Sequence, residues 1–382
     1  MQIWRMAPSV RWDTVTYRRQ AVRHGDVVYV SGQVAVEKRP SDMPHQTRMA
    51  MANMKAVLAQ VGASLADVVK TTSYYVGLEG LKESVAIQAR EFPGAVASTQ
   101  VVVPALVEPR FLVEIEAIAV VGAQKSVARM PGAGPVGGDA AACHAVRCGN
   151  TIYVAGLVAT NENGGVAHPG DMPRQAAVTM ERMGSVLEQL GATLDDVVHT
   201  TVYFVTSKGW REAAQIRGRY FKVGPTSTGV IIPTLAEPGY LIQIDAIAVL
   251  GTPKQYADPP TPNVVKELNL EVPFRQGVKC GNTIYTSGPV AIGRAGSVLH
   301  PNDISGQTRV AMENLSRLLA ALGATTEDVA RKNTYYVAVK DYRKTVPIRS
   351  EYFKAGTCAT GVGVDALVVP GLLIEMEVVA IV

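Results

Sequence analysis

Three tandem copies of one α+β domain, packed as an intramolecular pseudo-trimer, are the architecture this sequence predicts. Three observations carry that expectation. The chain has 382 residues, and at roughly 100–200 residues per domain that suggests two to four domains. Related segments recur at a near-constant spacing along it. Within each recurrence, strand-like runs alternate with amphipathic helical ones. Apolar residues make up 47% and charged residues 18%, a balance that supports packed cores and argues against disorder.

The repeat is read from three blocks. HGDVVYVSGQVAV begins at His24, CGNTIYVAGLVAT at Cys148 and CGNTIYTSGPVAI at Cys280. ADVVKTTSYYV from Ala66 returns as DDVVHTTVYFV from Asp195 and EDVARKNTYYV from Glu327. LVEIEAIAV from Leu112 returns as LIQIDAIAV from Leu241 and as LLIEMEVVAIV from Leu372. Lys70 to His199 and Ser98 to Ser227 are both 129 residues apart, and His199 to Arg331 is 132. Gly32 to Gly156 is only 124, which puts five extra residues in the loop NENGGVAHPGD of copy two. Pro/Gly-rich linkers separate the copies, which are expected at residues 1–124, 125–254 and 255–382.

Each copy opens with strands such as DVVYVSGQVAV, followed by an amphipathic helix; in copy two it starts near Pro173 and ends before Gly191. Ser64-x-x-Asp67, Thr193-x-x-Asp196 and Thr325-x-x-Asp328 form capping boxes with Asp in place of Glu, each opening a short turn before a β-branched, aromatic strand. A second helix follows, which Pro347 should kink or shorten in copy three. Two strands close the unit, giving the order β-β-α-β-α-β-β. The strands carry apolar residues on both faces, so one face needs the helices and the other a neighbouring copy. Fusion also removes the entropic cost of assembling a trimer.

The bulk numbers narrow the class. The formal net charge is +4, with Lys and Arg scattered, so no nucleic-acid footprint is evident. Four cysteines, Cys143, Cys148, Cys280 and Cys358, are too few for a disulfide scaffold. The N-terminus lacks an apolar signal region, and no run of about 18 apolar residues occurs. The expectation is a reduced, cytoplasmic protein without a membrane partner.

GDVVYVSGQ from Gly25, DVVKTTSYYV from Asp67, Glu108-Pro109, Glu237-Pro238 and EIEAIAV from Glu114 together make the chain resemble the RidA/YjgF family, formerly labelled endoribonuclease L-PSP. The resemblance covers all three copies. It implies chorismate mutase-like domains around a central β-barrel with helices outside, and three clefts between neighbouring copies. It implies hydrolysis of 2-imino or 2-enamino acids, no metal or organic cofactor, and a small-molecule substrate as the partner; a higher oligomer stays open.

The family's carboxylate-gripping arginine falls on Ser98, Ser227 and Ala359 here, so the familiar imino-acid chemistry lacks its anchor at every strand start. Arg110 is not that arginine by register. The water-positioning acid falls on Glu114, Gln243 and Glu375. The Ser-Gly strand end falls on Ser31-Gly32, Ala155-Gly156 and Ser287-Gly288. The family aromatic falls on Arg18, with Tyr17 beside it, on Ala142 and on Phe274. Thr99, Thr228, Cys358 and Thr360 flank the vacated arginine positions and are expected to face substrate.

The resulting expectation is a hydrolase or deaminase for a small, polar, nitrogen-containing metabolite. Glu114 or Glu375 would activate water, with Ser98 and Ser227 as hydrogen-bond donors. As nucleophiles the serines would need a base, and no G-x-S-x-G elbow is present. A cyclic-amide hydrolase of barbiturase type is an alternative by architecture alone. A cleft that binds without chemistry is another, favoured by loss of the arginines. Ribonuclease activity lacks a basic groove. His168-Pro169 and His300-Pro301 read as loop structure, His144 and His199 as structural strand residues, and no metal site is expected.

Overall fold

The computed structural model describes residues 2–3, 18–37, 41–130, 143–259 and 262–382. Copy one contributes β1 (Gln2–Ile3), β2 (Arg18–Arg19), β3 (Ala21–His24), β4 (Val27–Gln33), α1 (Met43–Gln60), β5 (Val68–Val76), α2 (Leu81–Glu91), β6 (Ala97–Val103) and β7 (Val113–Val120). Copy two adds β8 (Lys125–Ala128), β9 (Ala145–Cys148), β10 (Thr151–Leu157), α3 (Met172–Glu188), β11 (Val197–Phe204), α4 (Trp210–Gly218), β12 (Thr226–Ile231) and β13 (Ile242–Val249). Copy three adds β14 (Lys254–Ala257), α5 (Val264–Glu267), β15 (Gly277–Cys280), β16 (Thr283–Thr286), α6 (Ile304–Ala321), β17 (Val329–Tyr336), α7 (Tyr342–Tyr352), β18 (Thr357–Gly363), β19 (Ala366–Leu367) and β20 (Ile374–Ile381).

Each copy builds one sheet of the same order, as β3-β4-β7-β5-β6 shows for copy one. Its last crossover pair is parallel (β5 with β6) and the remaining pairs are antiparallel. The expected capping boxes form: the Ser64, Thr193 and Thr325 amides each donate to the Asp three residues on, at 2.8 Å. Asp42 and Asp171 cap α1 and α3 by accepting from His45 and Arg174 amides. One expectation fails. Pro347 leaves α7 at 11 residues, the length of α2. The carbonyl it deprives of a donor is that of Arg343, in the first turn, and the helix is not shortened.

One face of each sheet packs on its own helices: Met51, Met54 and Leu58 of α1 in copy one, Met180, Met183 and Leu187 of α3 in copy two, Leu315, Leu318 and Leu319 of α6 in copy three. The opposite faces meet one another. Tyr74, Tyr203 and Tyr335 share one cluster, and Tyr29, Tyr153 and Tyr285 another, each set holding one repeat position. The pseudo-trimer is therefore real, and its axis is apolar at two levels.

The sheets do not merge into the closed central barrel that the resemblance implied. Neighbouring copies pair backbones only briefly, at two sets of points: Ala97 with Cys143, Thr226 with Arg275 and Cys358 with Arg19, and further along the strands Val102 with Thr234, Ile231 with Ala366 and Val362 with Leu106. The cause is a register shift in the adjoining strand. β4 is irregular between Val30 and Gln33, and β10 between Val154 and Leu157, which spans the Ser31-Gly32 and Ala155-Gly156 positions. The bulged strand turns away from its neighbour, and a cleft opens instead of a ladder.

What crosses each interface instead is a buried basic side chain facing a carboxylate, with a threonine beside them. Lys70 lies 3.2 Å from Asp245, Arg331 hydrogen-bonds Glu116, and His199 lies 3.5 Å from Glu377. Thr99 donates to Asp245 at 3.1 Å and Thr360 to Glu116 at 2.6 Å. Burial lowers the Lys70 pKa, against the pull of Asp245. Burial works against Glu377 too, but His199 and Arg331 hold its carboxyl below the usual range.

Among the described residues no helix is long and apolar enough to cross a membrane, and no group of three His, Cys, Asp or Glu side chains could hold a metal ion.

Removing one partner of such a pair strands the other in a dry interface. Lys70→Met should therefore cost about 3–5 kcal/mol. The double variant Lys70→Met/Asp245→Leu should recover most of that loss. Urea unfolding midpoints of the three proteins test this; equal midpoints for the parent and Lys70→Met would refute a structural role for the ring.

Candidate functional site

The three clefts fall where the sequence places them, between β6 and β10, β12 and β16, and β18 and β4. They are chemically unequal.

Between copies one and two, Gln243 stands where an acid is expected, and its Nε2 donates to the Gly156 carbonyl at 3.4 Å. Ser98 shares a 2.9 Å hydrogen bond with Thr71. A carboxyl is missing from this cleft's acid position, because the only acid nearby on β13, Asp245, is already paired with Lys70.

Between copies three and one, Glu114 is 1% exposed and Ser31 accepts from the Ala359 amide at 2.9 Å. Arg18 occupies the vacated arginine position. Its Nη2 donates to the Ala359 carbonyl at 3.1 Å and the Gly32 carbonyl at 3.3 Å, and lies 3.6 Å from Glu114. Burial raises the Glu114 pKa to about 7, with Arg18 opposing the rise and Glu116 adding to it. This cleft is filled by the protein's own cation.

Between copies two and three a cavity of about 110 Å³ opens. Arg217, Ser227, Phe274, Ser287, Gly288 and Glu375 all line it. Arg217 comes from α4, not from the strand start. Its Nη2 donates to Ser227 Oγ at 2.8 Å, and its guanidinium lies 4.8 Å from the Phe274 ring. Burial brings its pKa down to about 9, so it stays cationic at neutral pH. Burial, reinforced by Glu377, raises the Glu375 pKa well above its ordinary value. Glu375 can lie so close to the strand because residue 288 is glycine: a Cβ there would sit 2.3 Å from the Glu375 carboxyl.

The expectation that every cleft lacks a guanidinium is thus overturned. Gln88, Arg217 and Arg349 occupy one repeat position on the second helix. Gln88 turns to Ser73 and Tyr75, and Arg349 to Thr334, while Arg217 reaches the cleft. A long side chain on a helix can replace one on a strand, which register alone does not reveal; the cue was a polar, long side chain kept at this position on a buried helix face. Trp210 and the segment around α5 also line the cavity and were missed.

Other expected site residues serve the scaffold. Thr99 and Thr360 bond the axial acids, and Thr228 is buried at the same repeat position. Cys358 donates to the Tyr29 carbonyl at 3.1 Å inside the axial cluster, where burial pushes its thiol up to about 12. These side chains miss the clefts because neighbours along a strand point to opposite faces: Ser98, Ser227 and Ala359 look out, and the flanking residues look in. Ser287 accepts from the Ser227 amide at 2.9 Å and ties the strands together. Arg110 sits on an outer loop and donates to the Glu37 carbonyl. Tyr17 and Ala142 lie outside the described residues.

The raised Glu114 pKa has a consequence for stability. A carboxyl that holds its proton more tightly when folded makes the folded state bind more protons than the unfolded one. Stability from this group is present below about pH 4.5 and falls as pH rises towards 7. Relative to Glu114→Gln, the parent should lose about 3 kcal/mol across that window. Chemical denaturation at a series of pH values measures it, and parallel profiles for the two proteins would rule out the buried, protonated Glu114.

Comparison with known proteins agrees with the repeat. The model of the family described as Endoribonuclease L-PSP matches residues 11–121, 140–250 and 265–382. A RutC family protein of Pyrococcus abyssi is 33% identical over 109 residues, covering 28% of this chain and 85% of its own. A RutC family protein of Pyrococcus horikoshii is 31% identical over 109 residues, covering 28% and 86%. The crystal structure of a chorismatase shares the fold at a TM-score of 0.56 and 13% identity, over 82% of this chain and 93% of that one. Each match to a RutC family protein is the size of one copy, and the family model matches three times. The chain belongs to the endoribonuclease L-PSP (RidA/YjgF) family, as three copies fused in tandem.

Proposed function

We propose that this chain is a hydrolase of a small anionic molecule, working in the cleft between copies two and three. One observation carries the reading: a single cavity brings together a buried guanidinium, Arg217, and a buried carboxyl, Glu375. Of the other two clefts, one has Gln243 in place of the acid, and in the other the guanidinium of Arg18 is taken up by the Ala359 and Gly32 carbonyls and by Glu114 itself.

Arg217 holds the anionic group of the substrate, its fork matching a carboxylate. Glu375, whose carboxyl burial pushes well above its ordinary pKa, gives its proton to the departing atom, a nitrogen if the bond is the C–N bond expected from the sequence. The resulting carboxylate then takes a proton from the attacking water, whose oxygen bonds to carbon. The acid is thus reset, and no group outside the chain and water is needed for the balance. A Ser–Lys route of barbiturase type finds no support, because Ser98 pairs with Thr71 and Ser227 with Arg217.

The test is turnover of a panel of in situ-generated 2-imino acids, cyclic ureides and chorismate, the last suggested by the name of the fold neighbour. Glu375→Gln should lower kcat by about 10²–10⁴-fold with little change in KM. In the parent, kcat should fall as pH rises through the Glu375 pKa, because the acid form is the active one. Glu114→Gln should leave turnover intact. Full activity in Glu375→Gln, or its loss in Glu114→Gln alone, would overturn the assignment of this cleft.

A further inference from the structure

The cavity between copies two and three has one wall unlike the others. Strands and the helices α4 and α6 supply most of its lining, but Pro262, Asn263, Val264, Val265 and Leu270 belong to the segment 262–273, which carries the single-turn helix α5. In the 132-residue register Val264 and Leu270 stand where the preceding linker has Gly132 and Gly138. Val264 and Leu268 pack on the core of copy two and on the axial cluster. Yet no residue from 262 to 273 is buried. A segment with so few buried contacts opens locally at far lower cost than the sheet beneath it.

Two polar contacts hold the segment down. Arg211, in the first turn of α4, donates to the Leu268 carbonyl at 3.5 Å, and Glu267 accepts from the Ala295 amide at 2.7 Å. The second contact is particular to copy three. In copy two the equivalent loop is self-contained: the Asn161 side chain accepts from the Asn163 and Gly165 amides at 3.0 and 2.9 Å. In copy three Gly293 stands at the Asn161 position and Ala295 at the Asn163 position. The loop has lost its internal acceptor, and the carboxylate of Glu267 takes its place. Ala295 is held at φ 54°, in the left-handed region that a Cβ disfavours, so the loop side of this contact is strained. The far end of the segment is fixed to copy two, where Gly224 donates to the Pro273 carbonyl at 3.2 Å and Arg275 to the Pro225 carbonyl at 3.0 Å.

We propose that residues 262–273 are a lid on this cavity, latched shut by Glu267 on the Ala295 amide, and that release of the latch opens the cavity to solvent. Opening lifts Val264 and Leu270 away while the anchored end at Pro273 stays in place. Closure shields Arg217 and Glu375 from bulk water and strengthens their field on a bound molecule. That consequence rests on the functional reading above; the lid itself does not.

Hydrogen exchange of the full-length protein tests the latch, and acrylamide quenching of Trp210 tests the cover. Trp210 is 9% exposed and lines the cavity, and Trp4→Phe/Trp12→Phe leaves it as the sole tryptophan. In the parent, the Leu268, Leu270 and Ala295 amides should exchange at least about 100-fold faster than those of β13, at rates that mild urea leaves unchanged. Glu267→Ala should raise these three rates together by roughly fivefold, the loss of one exposed hydrogen bond, while β13 keeps its parental rates. The acrylamide quenching constant of Trp210 should rise in step. Exchange in the segment no faster than in β13, or unchanged by Glu267→Ala, would overturn the proposal. So would faster exchange with unaltered quenching, because the segment would then move without uncovering the cavity. Neither measurement involves turnover, so both read the lid whatever the role of Glu375.

Discussion

Three buried pairs of a basic side chain with a carboxylate, one at each junction between copies, are the constraint on which this architecture turns. Lys70–Asp245, Arg331–Glu116 and His199–Glu377 occupy the same repeat positions, yet each is a different pair of residue types. Apolar packing alone would let identical sheets slide or rotate against one another. A desolvated charge tolerates only the neighbour that neutralises it. The two tyrosine clusters, linked to Arg331 through Tyr29 and Tyr74, supply the apolar area above and below. Because the pairs are unlike, exchanging one copy for another would mismatch residues that a symmetric trimer would leave equivalent.

Fusion has the same effect on the clefts. In an assembly of identical chains, a substitution appears at every cleft at once. Here Arg18 can fill one cleft, Gln243 can replace the acid of a second, and Arg217 can enter the third, each without consequence for the others. The glycine beneath the acid position is kept in all three, since a Cβ at residues 32, 156 or 288 would collide with Glu114, Gln243 or Glu375. The frame of the site is thus held constant while its charges are varied.

Much of the fold was legible because it rests on local rules repeated three times. The Ser/Thr-x-x-Asp boxes, the Asp-capped first helices and the alternating strands each followed from residue type and spacing, and the 129- and 132-residue offsets supplied the topology. The cleft positions of Ser227, Phe274, Gly288 and Glu375 were legible for the same reason. Three things were not. The barrel does not close, because a two-residue irregularity at the Ser-Gly position diverts the strand, and register gives no angle. Thr99, Thr360 and Cys358 were assigned to the cleft although strand alternation turns them to the axis; the period of two was available and outweighed by proximity to the vacated arginine. Aligning the copies shows only a long polar side chain at the Arg217 position; its reach from α4 to Ser227 is a property of packing between elements, which the alignment does not contain.

The axis and the cleft between copies two and three are joined by strand β20. Glu375 and Glu377 are two residues apart on it and share a face, one lining the cavity and the other paired with His199. Burial, reinforced by the neighbouring Glu377, raises the Glu375 pKa well above its ordinary value, while His199 and Arg331 hold the Glu377 carboxyl below the usual range. The carboxylate that the interface holds on the axis therefore adds to the effect of burial on the acid in the cleft. At the corresponding strand of copy one, Glu116 has the same neighbour relation to Glu114, but Arg18 offsets it and holds the pKa near 7. Where the cleft cation is on the neighbouring strand, as Arg18 is, it draws the acid towards ionisation. Arg217 reaches its cleft from a helix and does not figure among the groups that set the Glu375 pKa. With its arginine on a helix, one cavity holds a buried guanidinium together with a buried carboxyl of raised pKa, the pair on which the proposed hydrolysis rests.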